Sequence, residues 1–172
     1  KSVPYYHQAA SAAYEIFSNH EAIRFLERAI ELTLAHPEIK RGYEISQLYE
    51  DVGDIYSLIG QPAEARDAFQ NTLASLHNPK NLQKAMLYKK ISTTYEAQNR
   101  FQDAHAALDQ AESALLFADL ARSEDEHQAW IEMQYARAYL FFWQNLNEEM
   151  NQTIEKVHPL AEKYGRNDQQ ID

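Results

Sequence analysis

The residues best suited to chemistry in this 172-residue chain are two glutamate–histidine pairs, Glu124/His127 and Glu155/His158. An E-x-x-H spacing sets carboxylate and imidazole on one face of a helix, and two such pairs supply half of a di-iron carboxylate site. Their setting speaks against that use. Glu124 and His127 fall in a helix-capping stretch, His158 stands directly before Pro159, and neither pair has a matching mid-helix glutamate. The remaining histidines (His7, His20, His36, His77 and His105) show no H-E-x-x-H or triad-like order and read as exposed or capping residues. There is no glycine-rich phosphate loop and no G-x-S-x-G elbow. With no cysteine, the chain has no thiolate nucleophile, disulfide or zinc–thiolate site. The sequence therefore predicts no catalytic residue, no metal site and no cofactor, and what remains to carry function is a surface.

Charge and composition narrow the partners. A net charge of −10, from 16 basic and 26 acidic residues, denies the broad basic surface that phosphates require, so nucleic acid is not expected. No apolar run approaches the ~20 residues of a membrane span and no signal peptide is visible. A chain without cysteine suits a reducing cytoplasm. It opens at Lys1 rather than a methionine, which reads as a domain excised from a larger protein. Only four glycines among many Ala, Leu, Glu and Gln favour an all-helical fold.

The elements that must build the surface are clearest over 49–76. Leu48, Tyr49, Val52, Ile55, Tyr56 and Ile59 make a stripe along one helical face, and Ala65, Ala68, Phe69, Thr72, Leu73 and Leu76 make the next. Between them Gly60 offers a residue free to adopt positive φ, and Pro62 suits a first helical turn. Gly53 and Ala65 stand where the two helices approach closely, with Tyr56 and Phe69 filling the space beside them. Upstream, a first helix is expected over about Val3–Phe17 with two apolar stripes: Tyr6, Ala10, Ala13 and Phe17, and Tyr5, Ala9, Ala12 and Ile16. The second stripe has no partner within the chain and predicts an interface, with a second copy or an upstream repeat. Ser18/Glu21 and Ser123/Glu126 read as capping boxes, and His36-Pro37 and Asn78-Pro79 as helix starts. Downstream, Ile131, Tyr135, Ala138, Tyr139 and Phe142 form one stripe and Met150, Ile154, Val157, Ala161 and Tyr164 the last, where Pro159 is expected to kink or shorten the helix.

Tyr49-x-x-Val52-Gly53-x-x-Tyr56, Gly60 and Ala65-x-x-x-Phe69 resemble the tetratricopeptide repeat (TPR), whose pattern is W-x₂-L-G-x₂-Y…A-x₃-F. Tyr88-x-x-Ile91-Ser92-x-x-Tyr95, Asn99 and Ala104-x-x-x-Leu108-x-x-Ala111 repeat it, and Ala22-x-x-x-Leu26-x-x-Ala29 gives a second half-match. Ala22, Ala65 and Ala104 lie 43 and 39 residues apart, a long period that is similar to TPR regions of bacterial signalling NTPases and transcription activators. Tyr139 to Met150 spans eleven residues against nine in the two central units, so the fourth unit is expected to depart from the pattern. The resemblance implies one TPR-like α-solenoid domain over 1–172, about eight antiparallel-paired helices in a right-handed superhelix, with units near 3–36, 38–77, 79–118 and 124–164.

It also implies a non-enzymatic interaction module that presents a groove to a protein, a peptide or another domain of the parent chain. A second reading is a sensor of a small effector or signalling peptide. Carried over from the family's groove offsets, the candidate binding residues are Gln47, Glu50, Asp51 and Asp54, then Met86, Lys89, Lys90 and Thr93, then Trp130, Met133, Arg137 and Phe141. Met86 and Trp130 are expected to add apolar contact between the acidic and basic rungs. The family's carboxylate clamp for chaperone C-termini maps onto His7, Ser11, Asp51, Met86 and Lys90, where an aspartate at the centre would repel a carboxylate.

Overall fold

One turn, built four times, sets the frame of the chain. The computed structural model describes residues 2–36, 44–77, 79–116 and 123–164. These hold eight helices: α1 (Val3–Glu15), α2 (Asn19–Ala35), α3 (Ile45–Leu58), α4 (Pro62–Ser75), α5 (Asn81–Glu96), α6 (Phe101–Leu116), α7 (Glu124–Trp143) and α8 (Asn147–Tyr164). Among the described residues there is no strand. Each odd-numbered helix ends by placing one residue in the left-handed region: Phe17 (φ 59°), Gly60 (φ 73°), Asn99 (φ 56°) and Asn145 (φ 56°). The next amide then donates to the carbonyl five residues back, Ser18 to Ala13 at 2.8 Å and Gln61 to Tyr56, Arg100 to Tyr95 and Leu146 to Phe141 at 2.9 Å each. This closure satisfies carbonyls that a helix end would leave orphaned. The carbonyls of Ser18, Gln61, Arg100 and Leu146 accept, each at 3.0 Å, from Ala22, Ala65, Ala104 and Met150, which starts the following helix. The joined helices pack against each other as antiparallel pairs, so the fold is all-α and TPR-like.

The turns align the four repeats and show how each pair closes. Three residues before Ala13, Tyr56, Tyr95 and Phe141 stand the small residues Ala10, Gly53, Ser92 and Ala138, all buried. Four residues after Ala22, Ala65, Ala104 and Met150 stand Leu26, Phe69, Leu108 and Ile154. A Cβ added to Gly53 would lie 2.5 Å from Cε1 of Phe69, so the glycine is what the larger ring requires. By contact the chain divides into two compact units, Lys1–His77 and Asn78–Asp172. The first core gathers Val3, Leu26, Leu48, Val52 and Ile55; the second gathers Leu108, Leu115, Ile131, Met133, Leu140 and Val157.

Several sequence expectations give way here. The first helix stops at Glu15, and Phe17, 87% exposed, is the left-handed residue of the turn rather than a member of the buried stripe. The Ser18/Glu21 capping box does not form: the turn holds Ser18 at ψ 61°, and its hydroxyl meets the Glu21 carboxylate at 3.4 Å instead of a backbone amide. Ser123, extended at ψ 163°, makes the full box with Glu126. The helix after Pro79 begins at Asn81 with Lys80 as its cap, so Pro79 is not its first residue; Asn78 and Pro37 lie outside the described residues. Helix α8 is not shortened at Pro159 but runs to Tyr164. The lost bond falls on exposed Glu155, while Val157 and Ala161 are buried and Tyr164 stacks on His127 at 4.2 Å, which holds the last turns by packing.

The largest correction concerns the fourth repeat. Its turn is the same as the others, and the residue equivalent to Tyr56 is Phe141, nine residues before Met150, not Tyr139. Only the helix is longer, 20 residues in α7 against 14 in α3 and 16 in α5. The stripe expected from Tyr139 and Phe142 is accordingly exposed, at 51% and 52%.

Candidate functional site

In the first unit, α1 and α3 border an open cleft of about 480 Å³ with Ala10, Leu26 and Ile55 as its apolar lining. Around it stand His7, Ser11, Tyr14 and Glu15 from α1 and Gln47, Asp51 and Asp54 from α3. The helical period explains the set, since His7 and Ser11, and Gln47, Asp51 and Asp54, recur at steps of three and four. Both oxygens of Asp51 are engaged, one by Gln47 Nε2 at 2.9 Å and the other by His7 Nε2 at 3.2 Å. His7 is thus half-buried and paired, not an exposed or capping residue. The lining carries three carboxylates and neither lysine nor arginine. Of the sequence candidates on α3, Gln47, Asp51 and Asp54 line this cleft, while Glu50 does not. Also on α3, Tyr56 donates to Glu27 Oε1 at 3.0 Å, and burial together with that carboxylate pushes its phenol up to about 12.

In the second unit, Lys89 of α5 donates to Glu132 of α7, so the charge of Lys89 is paired within the unit. Met86 and Glu132 share a small recess of about 180 Å³ with Leu82, Asp125, Gln128 and Ala129. Lys90 is half-buried and Thr93 is exposed, its hydroxyl bonded to the Lys89 carbonyl. The candidates on α7 lie elsewhere than expected. Met133 (1% exposed) and Trp130 (5%) are core residues, and Trp130 donates its indole N–H to Glu112 at 3.0 Å. Arg137 faces α6, held by Asp109 at 2.8 Å and Glu112 at 3.5 Å. Phe141 packs on His105 of α6, ring centroids 4.6 Å apart. His105 is likewise half-buried, and its burial, aided by Arg137, lowers its pKa. The positions equivalent to Gln47, Glu50 and Asp54 are Glu132, Tyr135 and Tyr139, a set that the choice of Tyr139 as anchor concealed.

The histidines of the two glutamate–histidine pairs are engaged locally. His127 bonds the Ser123 carbonyl at 3.0 Å and stacks on Tyr164, and His158 meets Glu162 at 3.7 Å. Among the described residues no three His, Asp or Glu side chains converge as a metal site, and no helix is long and apolar enough to cross a membrane. On α1, Tyr5 (46%), Ile16 (73%) and Ala12 are exposed and Ala9 is half-buried.

Residues 43–116 match the family model of the tetratricopeptide repeat. Over that stretch the chain is similar to tetratricopeptide repeats, and its fold is TPR-like. Its two central helix pairs carry the match, and the α1–α2 and α7–α8 pairs share the same turn. No curated protein matches the chain. Among solved structures it is similar to a kinesin light chain candidate of Podosopora anserina with nearly identical TPR-like repeats, at 19% identity over 95% of this chain and 77% of that one, with a TM-score of 0.72. A single-substitution variant of that protein gives 18% identity, 94% and 75% coverage, and a TM-score of 0.71. At this identity the likeness concerns the fold. TPR domains are protein-interaction modules, binding proteins or peptides.

Proposed function

We propose that this TPR-like domain is a non-enzymatic adaptor whose first unit receives a basic side chain from an extended peptide or a partner domain, another domain of its own parent chain included. The observation that carries the reading is the α1–α3 cleft, where Asp51, Asp54 and Glu15 stand around an apolar lining with no lysine or arginine. The pairing of Lys89 with Glu132 supports an acidic rather than a mixed-charge recognition face. Charge at such a site sets encounter and register more than affinity. The setting is a cytoplasm, in keeping with a chain free of cysteine.

A randomised peptide library presented to the domain tests the reading. Lysine- and arginine-bearing peptides should be enriched, and an Asp51→Asn/Asp54→Asn variant of unchanged melting temperature should lose the enrichment. Retention of the same peptides by that variant would refute the cleft as the site. The same reading gives α1 a self-association surface through Tyr5, Ala9, Ala12 and Ile16, with Tyr5 and Ile16 open to a second copy. Sedimentation velocity at rising concentration checks it, and a monomer throughout would remove it.

A further inference from the structure

The last turns of α7 carry three aromatic rings on the surface: Tyr139 (51% exposed), Phe142 (52%) and Trp143 (53%). They form one cluster. Tyr139 and Phe142 lie near-parallel at 17° with centroids 6.3 Å apart, and Trp143 stands edge-on to both at 5.6 Å. From the register of the fourth turn, Tyr139 is the equivalent of Asp54, a lining residue of the cleft in the first unit. Along residues 138–155 the formal charge has one sign. No lysine or arginine occurs between Arg137 and Lys156, and Arg137 is committed to Asp109 and Glu112. Glu148 and Glu149 are exposed in the first turn of α8, and the last turn of α7 has no basic residue to offset the negative end of its dipole.

We propose that Tyr139, Phe142 and Trp143 form a docking platform for an arginine side chain of a partner peptide. The proposal rests on the interaction-module reading and adds a second, chemically distinct contact to it. Negative ring faces in a stretch without lysine or arginine favour a cation. The spacing selects its shape. A cation held between Tyr139 and Phe142 would need contact of about 3.5–4 Å with each ring, more than their 6.3 Å separation provides. A cation sandwiched between these two rings is therefore excluded, whereas a planar guanidinium can lie flat on an outer ring face. The chain already makes this contact once: at the third turn Arg100 lies 4.6 Å from the centroid of Tyr95.

The test uses the two indoles, which differ in setting: Trp130 is buried and bonded to Glu112, Trp143 is exposed. A blocked glycine–serine peptide bearing arginines is titrated while both indole N–H signals are followed by NMR. The Trp143 signal should move and the Trp130 signal should not. Citrulline in place of arginine should abolish the shift, and lysine should weaken it. Binding should fall about 10-fold in Trp143→Ala or Phe142→Ala, substitutions of exposed side chains that keep the fold, and should survive in part at high salt. Asp51→Asn/Asp54→Asn should leave the Trp143 shift intact, which separates this platform from the cleft. Equal binding of the citrulline peptide, or arginine binding indifferent to Trp143→Ala, would overturn the proposal. So would a Trp143 shift that follows protein concentration without peptide, since the rings would then be a contact between copies.

Discussion

Replacing Gly53 by alanine tests the central packing device of the repeat. At an unconstrained helical site the change would stabilise by about 1 kcal/mol, because glycine is the poorer helix former. Here the new methyl would sit 2.5 and 2.7 Å from two ring carbons of Phe69, where carbon contacts prefer about 3.5–4.0 Å. The ring, 1% exposed, would have to move by about 1 Å inside a packed core, at a cost of about 1–3 kcal/mol. The net expectation is destabilisation by about 1 kcal/mol, opposite in sign to propensity. The other repeats supply the rescue, since the same two slots hold Ala10 and Leu26, Ser92 and Leu108, and Ala138 and Ile154. Phe69→Leu alone should also destabilise, through lost ring contacts. Gly53→Ala/Phe69→Leu should then be more stable than the sum of the two singles by about 1–2 kcal/mol, within the range of coupled neighbours. The assay is the urea midpoint of the four proteins at constant m, so that the change is one of stability. Strict additivity, or a stabilising Gly53→Ala, would refute the account of why this repeat keeps a glycine.

Phe17→Asn should stabilise the domain by about 1 kcal/mol, because a left-handed L-residue costs about 1–2 kcal/mol, asparagine bears it more easily, and the exposed ring gives up no packing. Asn99 and Asn145 already hold that place in other repeats, and an unchanged urea midpoint would contradict the strain. His105 predicts a pH dependence. Its folded pKa lies below the ordinary 6.5, so the unfolded chain binds the proton more readily. Its contribution is fully present above that value and is lost as pH falls through the depressed folded pKa. His105→Gln should flatten this limb of the melting-temperature profile, and an unaltered limb would assign it to other groups.

The legibility of the chain followed the strength of its anchors. Gly60, Pro62 and Asn99 were readable because each answers one backbone demand, positive φ or a fixed φ at a helix start, and the structure uses them so. Phe17 was not readable: nothing in a phenylalanine announces a left-handed conformation, and only the closure of the turn from Ser18 to Ala13 imposes it. The second unit shows how one wrong anchor propagates. Taking Tyr139 for the slot of Phe141 is a shift of two residues, and two residues at 3.6 per turn rotate a helix by about 200°. That rotation turns the face inside out. It placed Trp130 and Met133 on the binding surface and Tyr139 and Phe142 in the core, the reverse of what the packing gives. The signal that resolves it was present in the chain, since Asn145 precedes Met150 by five residues as Asn99 precedes Ala104 and Gly60 precedes Ala65. In this repeat the turn residue is a firmer guide to register than the aromatic, because backbone closure allows one position while several aromatics can fill one hollow. Once the register is set by the turn, the rings at the end of α7 cease to be core candidates and become the exposed cluster on which a partner can act.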